Sequence, residues 1–203
     1  MIPDSNALLA VFPYARRQQE NFTTAAFASV LKLLDEREPN LAREFAGWLW
    51  AVDPGCLAGG WELVVQQRPE GKTGVPDLWL NTRGARLAIE VKLGDDADPE
   101  QLAAYQNYLA EGGEAKTLSL VSLTGREPDG QLPPGIVARL WNDVAVRLLQ
   151  HVEGAEGVRQ LTSEQARHAA TQLVGFLKGQ NLAFERVNCA LSDGVKLHLD
   201  RHR

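Results

Sequence analysis

The sequence predicts an α/β fold in which a mixed β-sheet is flanked by helices. Three patterns predict it: amphipathic helical stripes in the first fifty residues, a run of three strand-like segments, and a helix with a further strand after them. The 203 residues are enough to bury a full hydrophobic core, so we expect a single domain over residues 1–203.

Two helices are predicted before the strands. Apolar side chains recur at three- and four-residue spacing in residues 17–35, which is the stripe of an amphipathic helix. Residues 40–51 predict a second helix with Asn40 as its N-cap. WELVVQQ at 61–67 then predicts the first strand, and a turn-rich loop follows it.

Residues 74–92, GVPDLWLNTRGARLAIEVK, predict a β-hairpin. Both DLWLN and RLAIEVKL are strand-like, and Thr82-Arg83-Gly84 supplies a glycine-bearing turn. Because side chains alternate along a strand, Glu90 and Lys92 point to one face. The apolar residues between and beside them point to the other. We therefore expect the apolar set to be core and the charged pair to face a cleft or solvent.

The remaining chain predicts one more strand, three helices and a terminal hairpin. A helix is expected from Asp98, its N-cap, to Gly112-Gly113. TLSLVSLT at 117–124 is typical of a strand covered on both faces. Amphipathic patterns predict helices at 133–152 and 162–179, and two alternating runs around Ser192-Asp193-Gly194 indicate a C-terminal β-hairpin.

Composition and cysteine usage favour a soluble cytoplasmic protein. The net charge is −5, which argues against non-specific coating of nucleic acid, and no apolar run approaches the length of a membrane helix. Asp4 precedes the short N-terminal apolar patch, where a signal peptide would carry positive charge. Cys56 and Cys189 belong to no zinc-binding spacing and are expected to be buried free thiols.

An acid two residues before a lysine occurs three times in the chain, and only one of the three has a structured context. The other two, Glu70 with Lys72 and Glu114 with Lys116, lie in loop-like sequence. Chance alone gives about one such match, so the triplet carries little information by itself. Glu90 and Lys92 differ because they lie inside a strand and follow Pro76-Asp77 one hairpin earlier.

Pairing across the hairpin turn brings Asp77 close to Glu90 and Lys92. Two carboxylates at a partly buried position repel each other and lose hydration, which costs free energy. A divalent cation would remove that cost, and oxygen ligands with room for water suit Mg²⁺ or Mn²⁺. A purely structural ion cluster is the alternative interpretation.

Pro76-Asp77, followed by Glu90-Val91-Lys92 with thirteen positions from Asp77 to Glu90, resembles the motif of the PD-(D/E)xK nuclease superfamily. The restriction-endonuclease-like core of that superfamily runs helix, three strands, helix, strand. The predicted order from Glu20 to Thr124 matches it. Gln101 and Tyr105 on the next helix resemble the Gln-x-x-x-Tyr of the RecB-like branch. ENFTTAAFASVLKLL and QLAAYQNYL are similar to a bacterial group associated with defence against foreign DNA.

The resemblance covers residues 18–150 and leaves 155–203 as an appendage of unknown role. It implies a Mg²⁺-dependent nuclease, with Mn²⁺ as substitute, that hydrolyses phosphodiester bonds of DNA in phage defence or repair. The implied roles are metal binding by Asp77, Glu90, the Val91 carbonyl and Glu20, catalysis by Asp77, Glu90 and Lys92, and substrate binding or support by Gln101 and Tyr105. Lys92 would orient the attacking water or stabilise the developing oxyanion.

Three of these residues also have structural explanations. Gln101 could close a capping box with Asp98, Tyr105 could be a core aromatic, and Glu20 could complement the dipole of its helix. The alternative function is a non-catalytic module that binds nucleic acid or protein on a nuclease fold. RNA is a further candidate substrate. A homodimer is expected, since one small domain spans too little duplex to cut both strands.

Overall fold

The computed structural model describes residues 6–15, 18–65, 75–94, 98–111, 117–127 and 130–184. The predicted class is confirmed, because a five-stranded mixed sheet is flanked by helices. The helices are α1 (Ala7–Val11), α2 (Gln19–Arg37), α3 (Pro39–Trp50), α4 (Pro99–Glu111), α5 (Trp141–Glu153) and α6 (Glu164–Gly179). The strands are β1 (Glu62–Val65), β2 (Leu78–Asn81), β3 (Ala85–Val91), β4 (Thr117–Thr124) and β5 (Ile136–Leu140).

The sheet has the strand order β1-β2-β3-β4-β5, with β3 in the centre. The pairs β1–β2 and β2–β3 are antiparallel, whereas β3–β4 and β4–β5 are parallel. The hairpin register is fixed at its turn, where the Thr82 hydroxyl accepts hydrogen bonds from the backbone N–H groups of Gly84 and Ala85. Helix α4 is the crossover that parallel pairing of β3 and β4 requires.

The two faces of β3 belong to different hydrophobic clusters. Leu87, Ile89 and Val91 join the large cluster that includes residues of α2, α3, α5 and α6, and we call this side the core face. Ala88 joins a smaller cluster with residues of the neighbouring strands and of α4, and we call this side the α4 face. Because side chains alternate, Glu90 lies on the α4 face.

The helix predicted at 133–152 is wrong in its first part, because residues Ile136–Leu140 form β5 and α5 begins only at Trp141. A turn containing Gly135, at φ +84°, precedes the strand. The β-branched Ile136 and Val137 suit a strand, and β5 pairs with a side of β4 that would otherwise be a free edge.

Smaller corrections concern helix starts and a cysteine. The N-cap of α3 is Glu38 rather than Asn40, because Pro39 takes the first helical position. Asn6 caps α1, a short helix that the sequence interpretation did not include. Cys56 is only half-buried, in a short 3₁₀ turn at Pro54–Leu57, so its predicted burial is wrong.

Several predictions fall outside the described residues. They are the loop after β1 with Glu70 and Lys72, the Glu114 and Lys116 pair, Cys189, and the C-terminal hairpin around Ser192. In the part of the chain that is described, no helix is long and apolar enough to cross a membrane.

Candidate active site

The hairpin sets Asp77 opposite Glu90. Leu78 pairs with Ile89, so the antiparallel register continued by one residue matches Asp77 with Glu90. Asp77 is held there because its Oδ2 accepts a hydrogen bond of 2.8 Å from the Val91 N–H. Side chains opposite each other in an antiparallel pair have Cβ atoms about 4.5–5.5 Å apart, so the two carboxylates are neighbours.

Both carboxylates are buried, which corrects the expectation that Glu90 faces a cleft or solvent. Glu90 is 0% exposed and Asp77 5% exposed. The expectation assumed that only one face of β3 is covered, whereas α4 packs across the other face through Leu102 and Tyr105. Glu90 is thus a charged residue in a covered position, where it needs a partner of opposite charge.

Lys92 supplies that partner. Its Nζ lies 2.9 Å from Glu90 Oε1 and 3.9 Å from Glu20 Oε2, and its side chain is 15% exposed. The backbone at Lys92 is also fixed, since its N–H donates to the Leu123 carbonyl and its own carbonyl accepts from Trp141 Nε1. The lysine therefore stands at a defined place where β3 ends.

The electrostatic surroundings of Lys92 favour its charged form. Burial lowers the pKa of the ammonium, but its hydrogen bond with Glu90 and the negative charges of Glu90, Glu20 and Asp77 together raise the pKa above its ordinary value of 10.5. Lys92 is thus the ammonium on which the charges of three carboxylates act.

Glu20 lies in the first turn of α2, as predicted, with 41% of its side chain exposed. It approaches the cluster from the helix through Lys92 and does not complete a group of three acids with Asp77 and Glu90. Within the described ranges, no three His, Cys, Asp or Glu side chains come together in a way that could hold a metal ion. The role of Glu20 as a metal ligand therefore stays a prediction.

Gln101 and Tyr105 lie together on α4. The Gln101 Nε2 donates a hydrogen bond to the Tyr105 hydroxyl. The Tyr105 ring is buried in the cluster that contains Ala88, so the ring is a core aromatic while its hydroxyl is occupied by Gln101. Asp98 accepts a bond from the Glu100 N–H at the start of this helix. The pair thus covers the α4 face.

Ser122 is a site residue that the sequence interpretation missed. In the parallel ladder it pairs directly with Glu90, and it is buried. Asp77, one residue before β2, Glu90 on β3 and Ser122 on β4 are consequently neighbours in one polar row. The signal available in the sequence was the serine inside an otherwise apolar strand, but its neighbour depends on how β3 pairs with β4.

The oxygen atoms of Asp77, Glu90 and the Val91 backbone suit a hard divalent cation. Asp77 has one carboxylate oxygen beyond the one bonded to Val91, and Glu90 contributes a second carboxylate. The N–H and C=O of a strand residue point the same way, so the Val91 carbonyl is directed to the side of Asp77. Mg²⁺ is usually held by one or two carboxylates and several waters, and this donor set meets that need.

No protein-family model matches the chain, and no curated protein or solved structure matches it significantly.

Proposed function

We propose that this protein is a Mg²⁺-dependent nuclease with a restriction-endonuclease-like fold that hydrolyses phosphodiester bonds of DNA. The observation that carries the proposal is a buried cluster, in which Asp77 accepts a hydrogen bond from the Val91 N–H, directly after Glu90, while Lys92 lies 2.9 Å from Glu90. A structural ion pair needs one acid and one base. Here Asp77 adds a second buried carboxylate, whose like-charge repulsion and lost hydration cost free energy unless a bound cation offsets them.

Asp77, Glu90 and the Val91 carbonyl would hold the metal ion. When bound, the ion would activate a water molecule and offset charge on the phosphate. The Lys92 ammonium would donate a hydrogen bond to a phosphate oxygen or to the attacking water, and Glu90 orients that ammonium. The Val91 N–H holds the Asp77 carboxylate in place, so that side chain loses little conformational entropy when the substrate binds.

The order of elements supports the fold part of the proposal. Helices α2 and α3 precede three strands, and α4 and β4 follow them. This order matches the core that the resemblance implies, and the proposed metal ligands lie just before β2 and at the end of β3. Association with phage defence and assembly as a homodimer stay predictions from the sequence.

The test is a cleavage assay with linear, circular and single-stranded DNA and with RNA, in Mg²⁺ and in Mn²⁺. Asp77→Asn is the informative variant, because an asparagine oxygen can still accept from the Val91 N–H while the charge is lost. We expect a rate loss of about a hundredfold or more, as for other removed catalytic groups.

The matched control is Asp53→Asn, the same chemical change in an exposed turn where Asp53 Oδ1 accepts from the Gly55 N–H. It should keep wild-type activity. Equal cleavage by wild type and Asp77→Asn would contradict the proposal. Cleavage of RNA alone would keep the site chemistry and change the substrate.

A non-catalytic binding module is the second candidate. It is favoured by the 2.9 Å contact, since Lys92 neutralises the charge of Glu90 without any metal. Calorimetry separates the two functions: a nuclease site shows Mn²⁺ or Mg²⁺ binding that Asp77→Asn weakens, whereas a binding module shows none.

A further inference from the structure

Strand β4 contains two buried serines, and within the described part of the chain only one of their hydroxyl groups has a hydrogen-bond partner. Ser119 pairs with Leu87, a residue of the core face, and its Oγ donates a 2.7 Å hydrogen bond to the Trp50 carbonyl. Ser122 is 1% exposed, and its Oγ has no hydrogen-bond partner among the described residues. A buried hydroxyl without a partner is unfavourable, so it calls for a specific explanation.

The position of Ser122 suggests the explanation. It pairs with Glu90 in the parallel ladder, so both side chains point to the α4 face from strands about 4.8 Å apart. Asp77, one residue before β2, lies on the other side of β3, where its Oδ2 accepts from the Val91 N–H. The hydroxyl is therefore a neutral donor and acceptor beside a pair of buried carboxylates.

We propose that Ser122 is a positioning residue that offers its hydroxyl to the hydration shell of the divalent cation held by Asp77 and Glu90. This inference rests on the proposed function. Mg²⁺ keeps several of its waters when it binds to protein, and those waters need hydrogen-bond partners from the surrounding side chains. A serine hydroxyl can accept from such a water, and it carries no charge that would compete with Lys92.

Removal of such a partner typically weakens metal binding 10- to 100-fold. We therefore expect Ser122→Ala to raise the Mn²⁺ dissociation constant about 10- to 100-fold in calorimetry. The melting temperature without metal should stay the same or rise, because a hydroxyl that lacks a partner is removed.

Ser119→Ala is the matched control on the same strand, and the opposite pattern is expected. It loses the bond to the Trp50 carbonyl, so its melting temperature without metal should fall. Its Mn²⁺ dissociation constant should stay at the wild-type value. Ser122→Thr keeps the hydroxyl and should bind Mn²⁺ more tightly than Ser122→Ala, which separates loss of the hydroxyl from a packing change.

The inference and the proposed function fail in different ways. If wild type binds Mn²⁺, Asp77→Asn weakens the binding and Ser122→Ala does not, the role of Ser122 is overturned and the metal site stands. If wild type binds no Mn²⁺ and cleaves no nucleic acid, both are overturned. A lower melting temperature for Ser122→Ala at unchanged Mn²⁺ affinity would identify an ordinary structural serine.

Discussion

The two faces of the central strands differ in the polar side chains that they bury. On the core face, Leu87, Ile89 and Val91 pack against the large cluster, and Ser119 has a hydrogen-bond partner. On the α4 face, the same strands bring Glu90 and Ser122 into a covered position. Residues one position apart on one backbone therefore face a hydrophobic core on one side of the sheet and a buried polar cluster on the other. A register slip of a single residue would exchange the two sets.

The largest expected effect on stability comes from breaking the buried ion pair on the α4 face. Lys92→Met keeps the length and apolar stem of the side chain but removes the ammonium 2.9 Å from Glu90. Loss of one partner leaves an uncompensated buried charge, so we expect a destabilisation of about 3–5 kcal/mol. Urea unfolding at neutral pH, without divalent cations, measures it.

The control for the lost ammonium is Lys32→Met, the same change at an exposed position of α2. It should alter the unfolding free energy by about 0.5 kcal/mol or less, as expected for a surface substitution. A loss below about 1 kcal/mol for Lys92→Met would mean that other groups compensate the carboxylates and that the stability of the α4 face does not depend on this ammonium.

A cavity on the core face should cost slightly less and leave the chemistry intact. Ile89 is fully buried and adjacent to Glu90 in sequence, but it points the other way. Ile89→Ala removes buried apolar atoms and is expected to destabilise by about 2–5 kcal/mol. Cleavage and Mn²⁺ affinity, measured where the variant is still folded, should match wild type. A weaker Mn²⁺ affinity in this variant would show that the two faces are not independent.

Much of this contrast could be predicted from local sequence. The alternation in RLAIEVKL separates Ile89 from Glu90, and the glycine-bearing turn fixes the register that sets Asp77 opposite Glu90. Both are short-range features. The burial of Glu90 could not be predicted in the same way, because it depends on α4 returning across the sheet.

The missed strand and the missed serine have a similar cause. Residues 136–140 join an amphipathic helical pattern in sequence, and only pairing with β4 makes them a strand. Ser122 becomes a neighbour of Glu90 only through the parallel ladder, which joins segments more than thirty residues apart. Non-local pairing can override local propensity, and local sequence patterns do not specify it.

The smallest predicted effect concerns His151, a buried titratable group among the helices of the core face. Its ring packs against Phe45, and its Nδ1 donates a 2.7 Å hydrogen bond to the Arg159 carbonyl. Burial lowers the pKa of His151 below its ordinary value of 6.5, with a further contribution from the charge of Arg147. The folded protein thus favours the neutral ring, in contrast to the charged cluster on the α4 face.

The sign of the pH effect follows from this lowered pKa. Well above pH 6.5 the ring is neutral in the folded and unfolded chains, so its full contribution to stability is present. As the pH falls below 6.5, the unfolded chain takes up the proton first, and stability declines by at most about 1.4 kcal/mol per pH unit until the folded pKa is passed. His151→Gln should flatten the unfolding free energy as the pH falls below 6.5, whereas His168→Gln, at an exposed position of α6, should leave the slope in place. If the slope persists in His151→Gln, groups other than His151 cause it. His151 would then not be a pH-dependent difference between the two faces.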